Sequence, residues 1–411
     1  MVKPVEIGNL PPLSRSESLP RESPRPNLLR ELSEQAILET IFREGPITRP
    51  EIAERTNISK PTVSAVVERL VQSQLVQTAG ERPGRRGRTP LAFTVNSAAG
   101  FVVGIDIGST RLRVAAVDIY GGALRELELE TSRGGPRAVE EQITGAVRQI
   151  DRELSGRHGD LLAMGVSTPG VVDPETRRVT SLAWHVSATG EFDSLATLES
   201  RFNVPVLVDN DINMAAVGEK WRGLAGGVST FVVISIGAGV GMGIVIQDEL
   251  FRGFHGAAGE IGYLPLARDP FDAHHRKLGG LEDEIGAEGI LTAYREAGGS
   301  ADSAREVFEA AQGGDTAATQ VIENAAQRIG LAIATVCAVI DPELVVLGGR
   351  IGGAADLLPA VRATVGRLLP LPTRIETSIL AERAALEGAL AMGLREARSQ
   401  LFSRERRAAV S

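Results

Sequence analysis

The chain has 411 residues, a single cysteine and a formal charge of −8. That length leaves room for two or three domains around a large core. The acidic balance excludes wholesale coating of nucleic acid but not a local basic patch. A lone Cys337 excludes an intrachain disulfide and fits a reducing cytoplasm.

Met1 to Pro12 carries paired prolines and no apolar core, so no signal peptide is expected. Residues 1–28 are rich in Pro, Ser and Arg and predict a disordered arm. A helical period begins at Ser33, with Ile37, Leu38, Ile41 and Phe42 on one face and Gly45-Pro46 as its end. Thr48-Arg49-Pro50-Glu51 has capping-box spacing and opens a second helix through Ile52 and Ala53. After Asn57-Ile58, Ser59 caps a third helix whose Val63, Val66, Val67 and Leu70 face inward.

This leaves Ser59, Lys60, Thr62, Ser64 and Ala65 near the exposed N-terminal end, where a recognition helix meets base edges in the major groove. Strands at Leu75–Thr78 and Leu91–Val95 flank a loop, Glu81 to Arg88, with four arginines and one glutamate, a net charge of +3. Such a hairpin is a wing, and Arg82, Arg85, Arg86 and Arg88 suit phosphate oxygens and narrow minor grooves. The alternative, a trihelical unit with a solvated charged loop, accounts for less of this pattern.

From Gly100 onward strands and helices alternate, an α/β organisation. Strands are predicted at Phe101–Ile107, Arg113–Val117, Leu161–Ser167, Val204–Asp209 and Leu344–Leu347, and a long helix at Thr316–Ile340. The uncharged stretch Gly223 to Gln247 reads as a buried hairpin, Thr230–Ile236 and Gly241–Ile246, rather than a membrane span. Two glycine-rich turns after strands suggest two related lobes around a cleft, although the internal similarity is too weak for a repeat.

Asp106-Ile107-Gly108-Ser109-Thr110-Arg111 and Ser235-Ile236-Gly237-Ala238-Gly239-Val240-Gly241 are candidate phosphate turns, with Asp106 placed to hold Mg²⁺ through water. Neither is a Walker-type loop. Asp209-Asn210-Asp211 ends a strand and enters a helix. Helix capping explains one of the three, while Asn210 and Asp211 also suit vicinal hydroxyls, with a carboxylate as base. Glu260 and Glu282 lie in glycine-rich segments and read either as cleft carboxylates or as exposed side chains. Gly348-Gly349 follows an apolar strand and lets adenine or ribose pack on the backbone.

Assembled, these motifs resemble the ROK family of repressors, open reading frames and sugar kinases, from about Ser33 to Leu394, and most closely its winged-helix regulators. The resemblance implies an N-terminal winged helix-turn-helix, here residues 29–97, followed over 98–411 by a two-lobed actin-like ATPase (ribonuclease H-like) domain. It implies a sugar site of Gly170, Asn210, Asp211, Glu260, Tyr263 and Glu282, with Asp211 as the base if the chain is a kinase. It implies a nucleotide site of Asp106, Gly108, Thr110, Gly237, Gly239, Gly241, Gly348 and Gly349.

Two departures stand out. Tyr263 replaces the family's sugar-contacting histidine, and Ala273 to Gly280 replaces its zinc cluster with all three cysteines gone. No structural zinc is expected, and His274 and His275 read as surface residues. Ala238 sits where the kinases carry a threonine. Cys337 reads as a small buried residue.

The implied function is a sequence-specific regulator, a repressor whose DNA affinity a sugar controls. It would be cytoplasmic and would bind a palindromic operator as a homodimer or dimer of dimers, with no membrane contact and no required cofactor. The alternative is an ATP-dependent hexose kinase, which would need ATP and Mg²⁺.

Overall fold

The computed structural model describes residues 26–81, 90–180, 194–267 and 269–408. The chain divides into two compact units between Asn96 and Ser97.

The first unit comprises α1 (Pro26–Glu44), β1 (Ile47–Thr48), α2 (Arg49–Thr56), α3 (Lys60–Gln72), β2 (Val76–Glu81) and β3 (Leu91–Val95). Its sheet has the order β1-β3-β2, antiparallel throughout. Helix α1 starts at Pro26, ahead of the apolar period that begins at Ser33, so residues 26–28 are helical rather than part of an arm. Proline is well suited to a first helical position because its missing N–H has no partner to lose there. The rest of the predicted arm lies outside the described residues. The apolar faces converge on one core in which Ile37, Ile41, Ile52, Val63, Val67, Leu70 and Phe93 are fully buried.

At the start of α2 the Glu51 carboxylate accepts from both the N–H and the hydroxyl of Thr48, each at 2.8 Å. The helix stops at Asn57, a left-handed residue with φ 54°, which asparagine tolerates better than most side chains.

The second unit opens with β4 (Phe101–Ile107), β5 (Arg111–Asp118), β6 (Ala123–Glu130), α4 (Pro136–Leu154), β7 (Leu161–Thr168), β8 (Val171–Val172), β9 (Val179–Thr180), α5 (Ser194–Phe202) and β10 (Val206–Asn210). It continues with α6 (Asp211–Arg222), β11 (Phe231–Ile236), β12 (Val240–Ile246), β13 (Glu249–Leu250), a 3-10 turn at Ile261–Tyr263, α7 (His275–Leu278), α8 (Gly280–Ile285), α9 (Ala287–Glu296) and α10 (Ala304–Gln312). It closes with α11 (Thr316–Ile340), β14 (Leu344–Gly348), α12 (Gly349–Gly352), α13 (Leu357–Leu368), β15 (Arg374–Thr377), a second 3-10 turn at Ala381–Arg383 and α14 (Ala384–Ala408).

Two five-stranded sheets result, ordered β10-β7-β4-β5-β6 and β13-β12-β11-β14-β15. Each begins with three successive antiparallel strands and adds two parallel strands beside the first of them. The two lobes therefore share one topology, a duplication that the sequence hints at only through its paired glycine turns.

Helices α4 and α5 cover one face of the first sheet, and α8 to α11 with α13 cover one face of the second. The inner faces carry α14 and α6 respectively, through Leu386, Leu390 and Leu394 on α14 and Ile212, Ala215 and Ala216 on α6. These two inner helices meet backbone to backbone. A Cβ on Gly218 would overlap the Ala384 carbonyl, and one on Gly388 would overlap that of Met214. The contact joins the lobes and sets the floor of the cleft between them.

Candidate functional site

In the first unit, α3 presents its N-terminal turn outward. Ser59, Lys60, Thr62, Ser64 and Ala65 are exposed, whereas Val63, Val66, Val67 and Leu70 are buried. The Ser59 hydroxyl caps the helix by accepting from the Thr62 N–H at 3.3 Å, and the two hydroxyls share a 2.7 Å hydrogen bond. Ser59 therefore holds the helix end in shape, while Lys60 and Ser64 project from it. The wing strands β2 and β3 pair as a hairpin. Arg82, Arg85, Arg86 and Arg88 lie outside the described residues.

In the second unit a cavity of about 410 Å³ opens between the sheets, a size that suits a small molecule. Of the residues singled out in the sequence, Asp106, Gly108, Gly170, Asn210, Asp211, Gly237, Gly239, Gly241, Glu260, Glu282, Gly348 and Gly349 line it. Thr110 and Tyr263 do not. Thr110 is an exposed turn residue, and Tyr263 is 41% exposed. Burial, then the charges on Glu260 and Glu282, raise the Tyr263 phenol above its ordinary range.

The local chain explains the placement. Asn210 ends β10 and caps α6, its side-chain oxygen accepting from the N–H groups of Ile212 at 2.9 Å and Asn213 at 3.4 Å. Its amide donates to the Gly170 carbonyl at 2.8 Å. Capping thus engages the Asn210 oxygen, and one amide N–H is left for a ligand. Asp211, the first residue of α6, faces the cleft, where solvent reaches it. Protein surrounds it on the other sides, and that desolvation, followed by the charge on Asp106, pushes its carboxyl up to about 6. Burial and then Glu282 raise Glu260, and Glu282 accepts from the Val240 N–H at 2.9 Å. The lining contains five carboxylates, with Glu382 the fifth, and no basic residue.

The glycine turns are only partly available to phosphate. The Gly108 N–H bonds the Arg111 carbonyl and the Gly237 N–H bonds that of Gly239, both at 2.9 Å, so each closes its own turn. The Asp106 carboxylate is also engaged. Ser167 donates to Oδ1 at 2.9 Å, and the Arg113 guanidinium stands 3.5 Å from Oδ2. Burial raises the Asp106 pKa, with Ser167 and Arg113 opposing the shift.

Sequence reasoning missed Arg113, Glu382 and Arg252, and it named Asp209 without its ion pair to Arg252. Hairpin counting could have found the first, since a turn at residues 108–110 sets Asp106 opposite Arg113. It also misjudged His275. The side chain is largely buried, its Nε2 lies 3.3 Å from Asp283, and its Nδ1 is buried without a hydrogen-bond partner. Only His274 is exposed. Among the described residues, no three or more His, Cys, Asp or Glu side chains gather as a metal site, and no helix is long and apolar enough to cross a membrane.

The sequence profile of the ROK family matches residues 102–396. The chain belongs to the ROK family. A winged helix-turn-helix DNA-binding profile matches residues 30–77, so this ROK chain carries a DNA-binding unit ahead of the kinase-like fold.

A xylose repressor of Caldicellulosiruptor bescii is 26% identical over 89% of this chain and 96% of that protein. A glucokinase of Halalkalibacterium halodurans is 32% identical over 62% of this chain and 82% of the kinase. A solved structure described as a ROK family transcriptional regulator, homologous to the E. coli MLC protein, superposes with a TM-score of 0.76. It covers 92% of this chain and 99% of that one at 21% identity, which establishes the shared fold.

Proposed function

We propose that this ROK protein is a cytoplasmic, sequence-specific repressor whose affinity for DNA is set by a sugar bound in the cleft of its second unit. The observation that carries this reading is the union, in one chain, of an exposed helix N-terminus on a winged helix-turn-helix with a cleft lined by Asn210, Asp211, Glu260 and Glu282. Ionised carboxylates and a side-chain amide are the groups that accept from and donate to vicinal hydroxyls. The C. bescii relative, a xylose repressor, supports a sugar as the effector.

The mechanism is linkage. A sugar that binds one lobe arrangement better than another shifts the population toward it, and the DNA-reading units of a homodimer follow. A two-fold dimer reads a palindromic operator, with Lys60, Thr62 and Ser64 in the major groove and Arg82, Arg85, Arg86 and Arg88 on phosphate or in the minor groove. Equilibrium binding to palindromes near sugar-utilisation genes tests this. Affinity no better than for random duplex at the same salt would sink the reading.

One observation favours a second reading. Asp211, with its carboxyl at about 6, is suited to take a proton from a sugar hydroxyl, and the H. halodurans relative is a glucokinase. Sugar-dependent release of ADP that disappears in Asp211→Ala would establish a kinase.

A further inference from the structure

Behind Asp106, and outside the cavity lining, stands a cation. Asp106 on β4 and Arg113 on β5 are direct cross-strand partners, as are Arg113 and Glu128 on β6. The register of the sheet therefore builds a ladder of acid, base and acid across three strands, with side chains on one face.

The Arg113 side chain is 11% exposed and is held from four directions. It lies 3.5 Å from Asp106 Oδ2 and 3.1 Å from Glu128, and it donates to the Glu382 carboxylate at 2.9 Å and to the Glu382 carbonyl at 3.2 Å. Glu382 sits in the 3-10 turn that leads into α14, lines the cavity, and takes the Arg350 guanidinium at 2.6 Å on its other oxygen. Arg111 pairs with Glu128 as well. Three acids and three arginines thus form one neutral cluster.

We propose that Arg113 is a resident counter-ion at Asp106, neutralising the carboxylate a divalent cation would need, so that this cleft excludes a magnesium–nucleotide complex and binds its sugar alone. Both Asp106 oxygens are engaged, one by Ser167 and one by Arg113. Magnesium demands near-ideal octahedral oxygen ligation and keeps several waters, and a guanidinium 3.5 Å from the carboxylate takes up its charge and repels the ion. Arginine stays charged at any physiological pH and its planar fork suits several carboxylates at once, so it does not yield as a lysine would. The same contacts tie the first sheet to the turn before α14 without a nucleotide. Arg113 is then a specificity-determining residue: it separates a sugar sensor from a phosphoryl-transfer enzyme built on the same fold.

The test is calorimetric titration of the full chain with AMPPNP in the presence of Mg²⁺, alongside titration of Mn²⁺ alone followed by electron paramagnetic resonance. Both are run on the wild type and on Arg113→Gln. The expected result is no saturable nucleotide or Mn²⁺ binding in the wild type at millimolar concentration, and a gain of roughly tenfold or more in Arg113→Gln. Saturable micromolar binding of Mg²⁺ and AMPPNP by the wild type overturns the proposal. So does a folded Arg113→Gln, verified by circular dichroism, that gains nothing. If that variant does not fold, the wild-type titrations decide alone, saturable binding overturning the proposal and its absence supporting it. The proposal rests on the cleft as a ligand site but not on repression. A free-sugar titration run in parallel reports on the sugar reading separately, so the two can fail independently.

Discussion

The Asp209 carboxylate and the Arg252 guanidinium meet at 2.7 Å, joining the last strand of the first sheet to the loop after β13 in the second. Asp209 is buried, with its other oxygen accepting from the Asn213 amide at 2.8 Å and from the Asn210 N–H at 2.8 Å. The pair thus fixes the strand end that delivers Asn210 and Asp211. Removing one partner of a buried pair leaves an uncompensated charge. Arg252→Ala is expected to lower stability by about 3 kcal/mol, at the modest end for such pairs because Arg252 is partly exposed. Urea denaturation checks this, and a midpoint shift within error of zero contradicts it.

Gly349 opens α12 with φ +77°, and a Cβ there would overlap the backbone of Ile236. Both the conformation and the space demand glycine at this place. Gly349→Ala is expected to cost about 1–3 kcal/mol from the dihedral alone, and the overlap adds to it. Thermal melting should show the loss whether or not nucleotide is present.

On α3, Ser59 and Lys60 should separate folding from DNA affinity. Ser59→Ala removes a helix cap and is expected to cost about 1 kcal/mol of stability. Lys60→Ala, at an exposed position, should leave stability unchanged. It should weaken operator binding by about 1–3 kcal/mol and relax the sequence preference at the base pair it contacts, the signature of a lost base contact. A Lys60→Ala variant with unaltered operator affinity and sequence preference would place that side chain away from the base edges.

Asp211 sets an expected pH dependence. Its carboxyl is pushed up to about 6, and sugar hydroxyls donate best to the ionised form. Bound sugar therefore favours the deprotonated state, and affinity should rise with pH through that region and level off above it. Below about pH 6 the affinity should fall toward tenfold per pH unit. In Asp211→Asn the slope should vanish. A sugar affinity that is flat between pH 5 and 7 in the wild type would rule out the ionised carboxylate as a contact.

Much of this fold is legible in the sequence because local and tertiary preferences agree. The helix α11 matches its apolar period from Thr316 to Ile340, and Ser59 caps α3 as its position indicates. Strand β6 was overlooked although its signal is present: Leu127, Glu128, Leu129 and Glu130 alternate with a period of two, and Leu124, Leu127 and Leu129 pack on the core. The sequence pattern brings most of the cleft residues together, since strand ends and tight turns project where the sheets meet. It does not disclose that capping engages Asn210, because the choice between cap and ligand contact depends on side-chain direction. Nor does it disclose Glu382 or Arg252, whose partners are far away in sequence and are fixed only by how the lobes pack. His275 reads as surface for a local reason: its partner Asp283 is only eight residues on, in the next helix, and the turn between α7 and α8 brings the two together.

Under the proposed function, sugar in the cleft sets affinity for DNA. The most direct measurement is fluorescence anisotropy of a labelled operator duplex titrated with the full chain, with and without saturating free sugar from a panel headed by xylose and glucose. Operator affinity should change by roughly 5- to 150-fold with one of them. In Asp211→Ala that response should disappear while sugar-free DNA binding remains. A sugar that binds the cleft yet leaves operator affinity unchanged would contradict that function.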